Sequence, residues 1–217
     1  MPGWLKRKTE AKNLTPLNDS IQSVRYVVLD TELTSLDHRT NRLLSVGAIA
    51  MRGPSIQLGE QLYRVVNPQV SIPSETVVIH KLRAEDVSEG EELEPVLKEF
   101  SQFVADAVLV GHFLDIDLKV LQKEMRSTGH TLDNPAIDTA RVHTWLLRQG
   151  PFTEDLPVRL GNLDLATLAK SYHLETQDAH HALSDAFLTA RVWQRMLHSL
   201  QAMRVDSLRK LLRIGGA

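Results

Sequence analysis

Val24-Arg25-Tyr26-Val27-Val28-Leu29-Asp30-Thr31-Glu32 is a β-branched, mostly apolar run that ends on two acids. Near-continuous apolar character suits a strand buried on both faces, so this run is expected at the centre of a sheet. Beyond a polar turn at Asp37 to Asn41, Leu43 to Met51 and Ile56 to Val66 read as two further strands, joined through Arg52-Gly53-Pro54-Ser55. The three make an antiparallel meander. From Ser74 onward the apolar period lengthens towards that of a helix, and Val96, Leu97, Phe100, Phe103 and Val104 form a stripe on a helix starting near Leu93. Strand and helix then alternate: Ala107 to Gly111, Leu114 to Met125, Ala136 to Asp138, Thr139 to Leu147, then helices over Leu163 to Tyr172 and Ala182 to Leu200. The expected fold is α/β, a mixed five-stranded sheet (the meander plus two parallel strands) flanked by helices. Residues 1–22 read as a polar N-terminal tail, 23–200 as the domain, and 201–217 as a basic C-terminal helix or tail.

The 217 residues are 42% hydrophobic and 24% charged, which suits a globular chain with one sizeable core. A formal net charge of -2 excludes a polybasic mode of nucleic-acid binding, so any nucleic acid must be held locally. The absence of cysteine removes disulfides, thiolate metal sites and cysteine nucleophiles together. Any metal must therefore use His, Asp or Glu. No apolar run approaches the roughly 18 to 20 residues that span a bilayer, and Lys6, Arg7 and Lys8 have no apolar core behind them. No membrane association and a cytoplasmic location are expected.

Four acids stand where a core wants apolar groups. Asp30 and Glu32 lie two residues apart at the end of the most apolar strand and face the same way. Either the strand has ended and both are solvated, or a cation or hydrogen-bond donors offset their repulsion. Asp117 lies on or beside the stripe Leu114, Leu118, Leu121 and Met125, whereas Asp115 is placed to pair with Lys119 on an exposed face. Asp185 borders the apolar stripe of the last long helix. His180 precedes it by five residues, about 140° away on an ideal helix, so the two meet only if His180 sits in the preceding turn. The plain alternative has Asp178 as the helix N-cap, with one histidine capping or packing. Together the acids suit Mg²⁺ or Mn²⁺, which take oxygen ligands; two such ions can clamp the attacking and leaving oxygens of a phosphodiester, with a nearby histidine as general base.

The residues resemble the DEDDh branch of the ribonuclease H-like 3′–5′ exonucleases, the family that includes the proofreading epsilon subunit of bacterial DNA polymerase III. Residues 27–37, VVLDTELTSLD, resemble the motif D-T-E-x-T-G-L-D with its preceding strand, and Arg42 to Ala48 follow as that motif expects. Residues 111–117, GHFLDID, resemble G-H-N-x-x-F-D and select Asp117 over Asp115. His180 to Ala186 match H-x-A-L-x-D-A and select His180 over His181. Weaker likenesses are Ile72 to Leu82, with His80, and Ile137-Asp138-Thr139. Ser35, Phe113 and Ile116 depart from a usual Gly, Asn and Phe; none of these changes removes an acid.

The resemblance implies that Asp30, Glu32, Asp117 and Asp185 bind two divalent ions, and that His180 activates the attacking water. It places substrate contacts at Thr31, Leu33, Thr34, His80, His112 and Phe113. The implied activity is 3′–5′ hydrolysis of single-stranded DNA to nucleoside 5′-monophosphates, in proofreading or repair with a DNA polymerase or another replication or repair protein as partner. RNA 3′-end trimming and a non-catalytic polymerase-accessory role are the alternatives. The segment around Arg204, Arg209, Lys210 and Arg213 either docks on a protein or nucleic acid or packs on its own domain.

Overall fold

The computed structural model describes residues 15–35, 37, 40–70, 84–149, 163–176 and 180–217; His80, Asp178 and the Trp4 to Lys8 segment lie outside them. The meander forms β1 (Arg25–Leu33), β2 (Leu43–Arg52) and β3 (Ser55–Val65). It is followed by α1 (Ala84–Ser88), α2 (Leu93–Val104), β4 (Val108–Gly111), α3 (Asp115–Ser127), β5 (Ala136–Asp138) and α4 (Thr139–Gln149). Three further helices, α5 (Leu165–Ser171), α6 (Ala182–Ala202) and α7 (Leu208–Gly215), complete the described chain.

The strands form one five-stranded sheet in the order β3-β2-β1-β4-β5. β1 pairs antiparallel with β2 and parallel with β4, and β4 pairs parallel with β5. β1 is thus central, as its apolar character requires. Parallel neighbours need a crossover, which α1 and α2 provide between β3 and β4 and α3 provides between β4 and β5.

Alternation along β1 decides which helices meet which residues. Tyr26 and Val28 point into a core shared with Val142 of α4, Leu168 of α5, Trp193 and Leu197 of α6 and Leu208 of α7. Val27 and Leu29 point the other way, onto Phe100 of α2 and Leu121 of α3. Continuing the period, Asp30 and Glu32 face α6, whereas Thr31 faces α3. The apolar side chains of α7, Leu208 and Leu211, are buried in the first of these cores. Ser207 bridges to Ser20, so the two ends of the described chain lie together. No helix among the described residues is long and apolar enough to cross a membrane.

Helix α6 lies unusually close to the sheet at Gly47, which pairs with Asp30 across the β1–β2 ladder. A Cβ on Gly47 would stand 2.2 Å from the backbone nitrogen of Leu183 and 2.3 Å from the carbonyl carbon of Ala182. Glycine inside a strand often marks such an approach of one backbone to another. The consequence is positional, because the first turn of α6 is pressed onto the sheet beside Asp30. Gly47→Ala is expected to destabilise the fold by about 1–3 kcal/mol, an overpacking cost, read as a lower urea midpoint at unchanged slope.

Candidate functional site

The carboxyl end of β1 is where four acids converge. Asp30, Glu32 and Asp185 each offer an oxygen atom, and these atoms all lie within 4.8 Å of one another. Asp30 and Asp185 are partly exposed, and Glu32 is buried. The fourth acid, Asp117, enters from α3 and is 7% exposed. Its Oδ1 accepts hydrogen bonds from the Thr31 backbone N–H at 3.0 Å and from the Thr31 hydroxyl at 2.5 Å. The single residue between Asp30 and Glu32 therefore fixes the acid on the opposite face of the strand.

Burial and mutual repulsion set the electrostatics. Desolvation, then the charges of Asp117, Glu32 and Asp185, push the Asp30 carboxyl well above its ordinary range. Burial raises Asp117 to about 7, against the pull of the two Thr31 hydrogen bonds. Asp185 is raised by burial, while the His180 backbone bond pulls it down. Groups that resist ionisation, converging through oxygen atoms alone, suit a hard divalent cation.

His180 and Asp185 meet in the way the spacing required. His180 precedes α6 with φ at 71°, and its backbone N–H donates to Asp185 Oδ2 at 2.9 Å. That left-handed turn brings an exposed His180 back towards the acids. Position 181 supplies the cap: His181 Nδ1 accepts from the Ser184 N–H at 3.4 Å, and its ring stacks on Tyr63 at 4.4 Å between centroids. Asp115 also differs from expectation. It pairs with Arg141 of α4 at 2.5 Å, because the crossover brings α4 beside the start of α3.

The residues expected near substrate divide. Leu33 and Thr34 are buried, and the Thr34 hydroxyl accepts from the Arg42 N–H at 2.9 Å. His112 is held at both ring nitrogens, by the Thr139 hydroxyl at 2.9 Å and the Leu163 carbonyl at 2.6 Å, and burial lowers its pKa. A neutral ring that donates to Leu163 and accepts from Thr139 satisfies both contacts. Phe113 is instead 45% exposed, with φ at 52°. A left-handed backbone at a bulky residue costs of order 1–3 kcal/mol. The Asp138 carboxylate ties this turn to α4, accepting from the N–H of Phe113 at 3.3 Å and of Ala140 at 2.8 Å. Gly47 and Tyr63 were not singled out in the sequence. A glycine inside an apolar strand is the trace that Gly47 leaves, whereas the pairing of Tyr63 with His181 leaves none.

A mixed sheet with an acid cluster at the carboxyl end of its central strand, covered by helices on both faces, defines a ribonuclease H-like nuclease fold. The chain belongs to the RNase T exonuclease family, whose model matches residues 27–193. It is 27% identical over 194 residues to the DNA polymerase III epsilon subunit of Aquifex aeolicus, covering 89% of this chain and 90% of that one. It is 27% identical over 186 residues to the PolC-type DNA polymerase III of Caldanaerobacter subterraneus, covering 86% of this chain but only 12% of that protein. Among solved structures, E. coli exonuclease I with zinc and single-stranded DNA superposes with a TM-score of 0.72 at 17% identity, over 85% of this chain and 42% of that one. Exonuclease X bound to 5′-overhanging duplex DNA gives 0.64 at 17% identity, over 88% and 98%. These two share the fold.

The raised acids make stability pH-dependent. Between the ordinary carboxylate pKa of about 4 and about 7, unfolded Asp117 releases its proton while folded Asp117 keeps it. Stability from this group is thus present at low pH and lost as pH rises through that window. In chelator, Asp117→Asn is expected to gain on wild type across the same window, by about 1.4 kcal/mol per unit that separates the folded and unfolded values. Urea titrations at a series of pH values check this; parallel curves for the two proteins would refute the burial of a titrating acid.

Proposed function

We propose that the chain is a metal-dependent 3′–5′ exonuclease acting on single-stranded DNA and releasing nucleoside 5′-monophosphates. The observation that carries the reading is the convergence of Asp30, Glu32 and Asp185 oxygens within 4.8 Å, with Asp117 alongside. Asp30, Glu32, Asp117 and Asp185 would hold two divalent ions, Mg²⁺ or Mn²⁺, which when bound supply charge stabilisation at the attacking and leaving oxygens. The protein's own groups do the rest. His180 accepts a proton from the attacking water, whose oxygen bonds to the terminal phosphorus as the bond to the neighbouring 3′ oxygen breaks. That oxygen takes up a proton from solvent water and leaves as a new 3′-hydroxyl, and the strand is one nucleotide shorter.

Thr31 holds Asp117 in one orientation, and the Asp185 bond to the His180 backbone holds the turn that presents the imidazole. Membership of an exonuclease family supports hydrolysis from an end. Likeness over nearly the whole length of an epsilon subunit supports a DNA polymerase or another replication protein as partner. Exonuclease I has been solved with single-stranded DNA, which supports a single strand as substrate.

The test is a time course on 5′-labelled single-stranded DNA and RNA oligonucleotides with Mg²⁺, Mn²⁺ or chelator. A metal-dependent ladder shortening from the 3′ end is expected, faster on DNA. Asp30→Ala should abolish it while raising stability in chelator. His180→Ala should lower kcat by about 10²- to 10⁴-fold while leaving metal affinity unchanged. Asp30→Ala retaining most of the activity would overturn the site. A faster ladder on RNA would make the protein an exoribonuclease, and no ladder with either polymer would leave a nucleic-acid-binding accessory domain.

A further inference from the structure

Beside the acids, at the carboxyl ends of β4 and β5, lies a cleft of about 500 Å³ whose walls include Phe113, Arg141, Trp145, Arg148, Leu163 and Ile214. Its size suits a nucleotide. Arg141, Trp145 and Arg148 stand at i, i+4 and i+7 on α4, so one helix face presents an indole between two guanidinium groups. Phe113 lines the same cleft from the loop that precedes Asp117. Its ring packs on His112 at 4.5 Å between centroids, and His112 is itself anchored at both nitrogens. The exposed Phe113 ring is thus braced on one side by an anchored neighbour.

The charges of the cleft are unequally engaged. Asp115 is paired with Arg141, and Asp138 accepts two backbone N–H groups. Arg141 also donates to the Gly216 carbonyl, which fixes its position. Arg148 is exposed and makes no ion pair among the described residues. A cleft with two aromatic rings and a guanidinium that makes no ion pair among the described residues suits a base and a phosphate together. Its distance from the acids also fits. β1 and β5 are separated in the sheet by β4 alone, and Val28, Val110 and Ile137 lie in register across the three strands, so the backbone at Asp138 stands about 10 Å from that at Asp30. That is the reach of a strand whose terminal phosphodiester lies at the acids and whose preceding nucleotides run along the sheet edge.

We propose that this cleft is a second nucleotide subsite, in which a base of the single strand upstream of the scissile bond packs against Phe113 and Trp145 and its phosphate meets Arg148. The assignment rests on the exonuclease reading of the acids. It also accounts for Phe113, a bulky exposed residue kept at a left-handed position that asparagine adopts more readily.

The test is fluorescence anisotropy of 5′-fluorescein oligothymidylates of two to eight nucleotides with the full chain in chelator, beside the 3′-shortening assay. Trp145→Ala and Arg148→Glu are each expected to weaken binding of the longer oligonucleotides by about tenfold and of the dinucleotide much less, with Trp145→Phe recovering most of the loss. In turnover the change should fall on KM. Phe113→Asn should weaken binding while raising the urea midpoint, a combination that a purely structural role would not produce. Binding by Arg148→Glu and Phe113→Asn equal to wild type, in a protein that shortens strands, would overturn the subsite and leave the nuclease reading intact. A wild type that shortens nothing would overturn the nuclease reading and, with it, the subsite as part of a hydrolytic path.

Discussion

Repulsion among carboxylates at the end of β1 is the constraint around which the molecule is organised. Desolvated acids raise one another's pKa, and a fold that holds them together must restrain elements that would otherwise move apart. The restraint comes from both faces of one strand. Asp30 and Glu32 face α6, which carries Asp185, and Gly47 lets the first turn of that helix settle onto the sheet. Thr31 faces α3 and binds Asp117 through backbone and hydroxyl. The period of two along β1 thus assigns three consecutive residues to two helices. Behind them, the two cores supply the rigidity, with Tyr26 and Val28 packed under α6 and Val27 and Leu29 packed against α2 and α3.

Most of this architecture was legible in the sequence because its periods are clean. The apolar run before Asp30 declares a central strand, and the change to a helical period at Leu93 marks the passage from meander to alternating units. The meander, the central place of β1 and the two parallel strands were legible from the same pattern, whereas the order β3-β2-β1-β4-β5 is given by the pairing of β1 with β4. Asp117 and Asp185 were legible as acids on or beside apolar stripes. His180 was legible only through the resemblance, because helical geometry alone places it on the wrong side of α6.

What escaped the sequence depends on contacts between segments far apart in the chain. Asp115 was expected to pair with Lys119 one helical turn away, but a bidentate-capable guanidinium on α4 stands within reach and prevails. A capping histidine was among the readings of the sequence, and the structure gives that part to His181. Its stack on Tyr63 comes from the register of β3 on β2, where Tyr63 lies opposite Gly47. Neither the Asp115–Arg141 pair nor the stack on Tyr63 leaves a local pattern.

A shared device positions Asp117 and Asp185. Each acid sits in the first turn of its helix, and each helix is entered through a left-handed residue, Phe113 or His180. In both turns the N–H of that residue donates to a carboxylate, Asp138 in one and Asp185 itself in the other. The geometry has an electrostatic consequence. A helix N-terminus carries partial positive charge, and a carboxylate in the first turn interacts with it favourably by a few tenths to about 1 kcal/mol, more when partly buried. Sharp entries are needed to start each helix close to the strand end, and a left-handed residue provides them at a conformational cost. The strain at Phe113 and His180 is therefore tied to the placement of the acids: two helix termini aimed at one strand end offset part of the repulsion that the cluster creates, which lets the clustered acids persist as part of the folded chain.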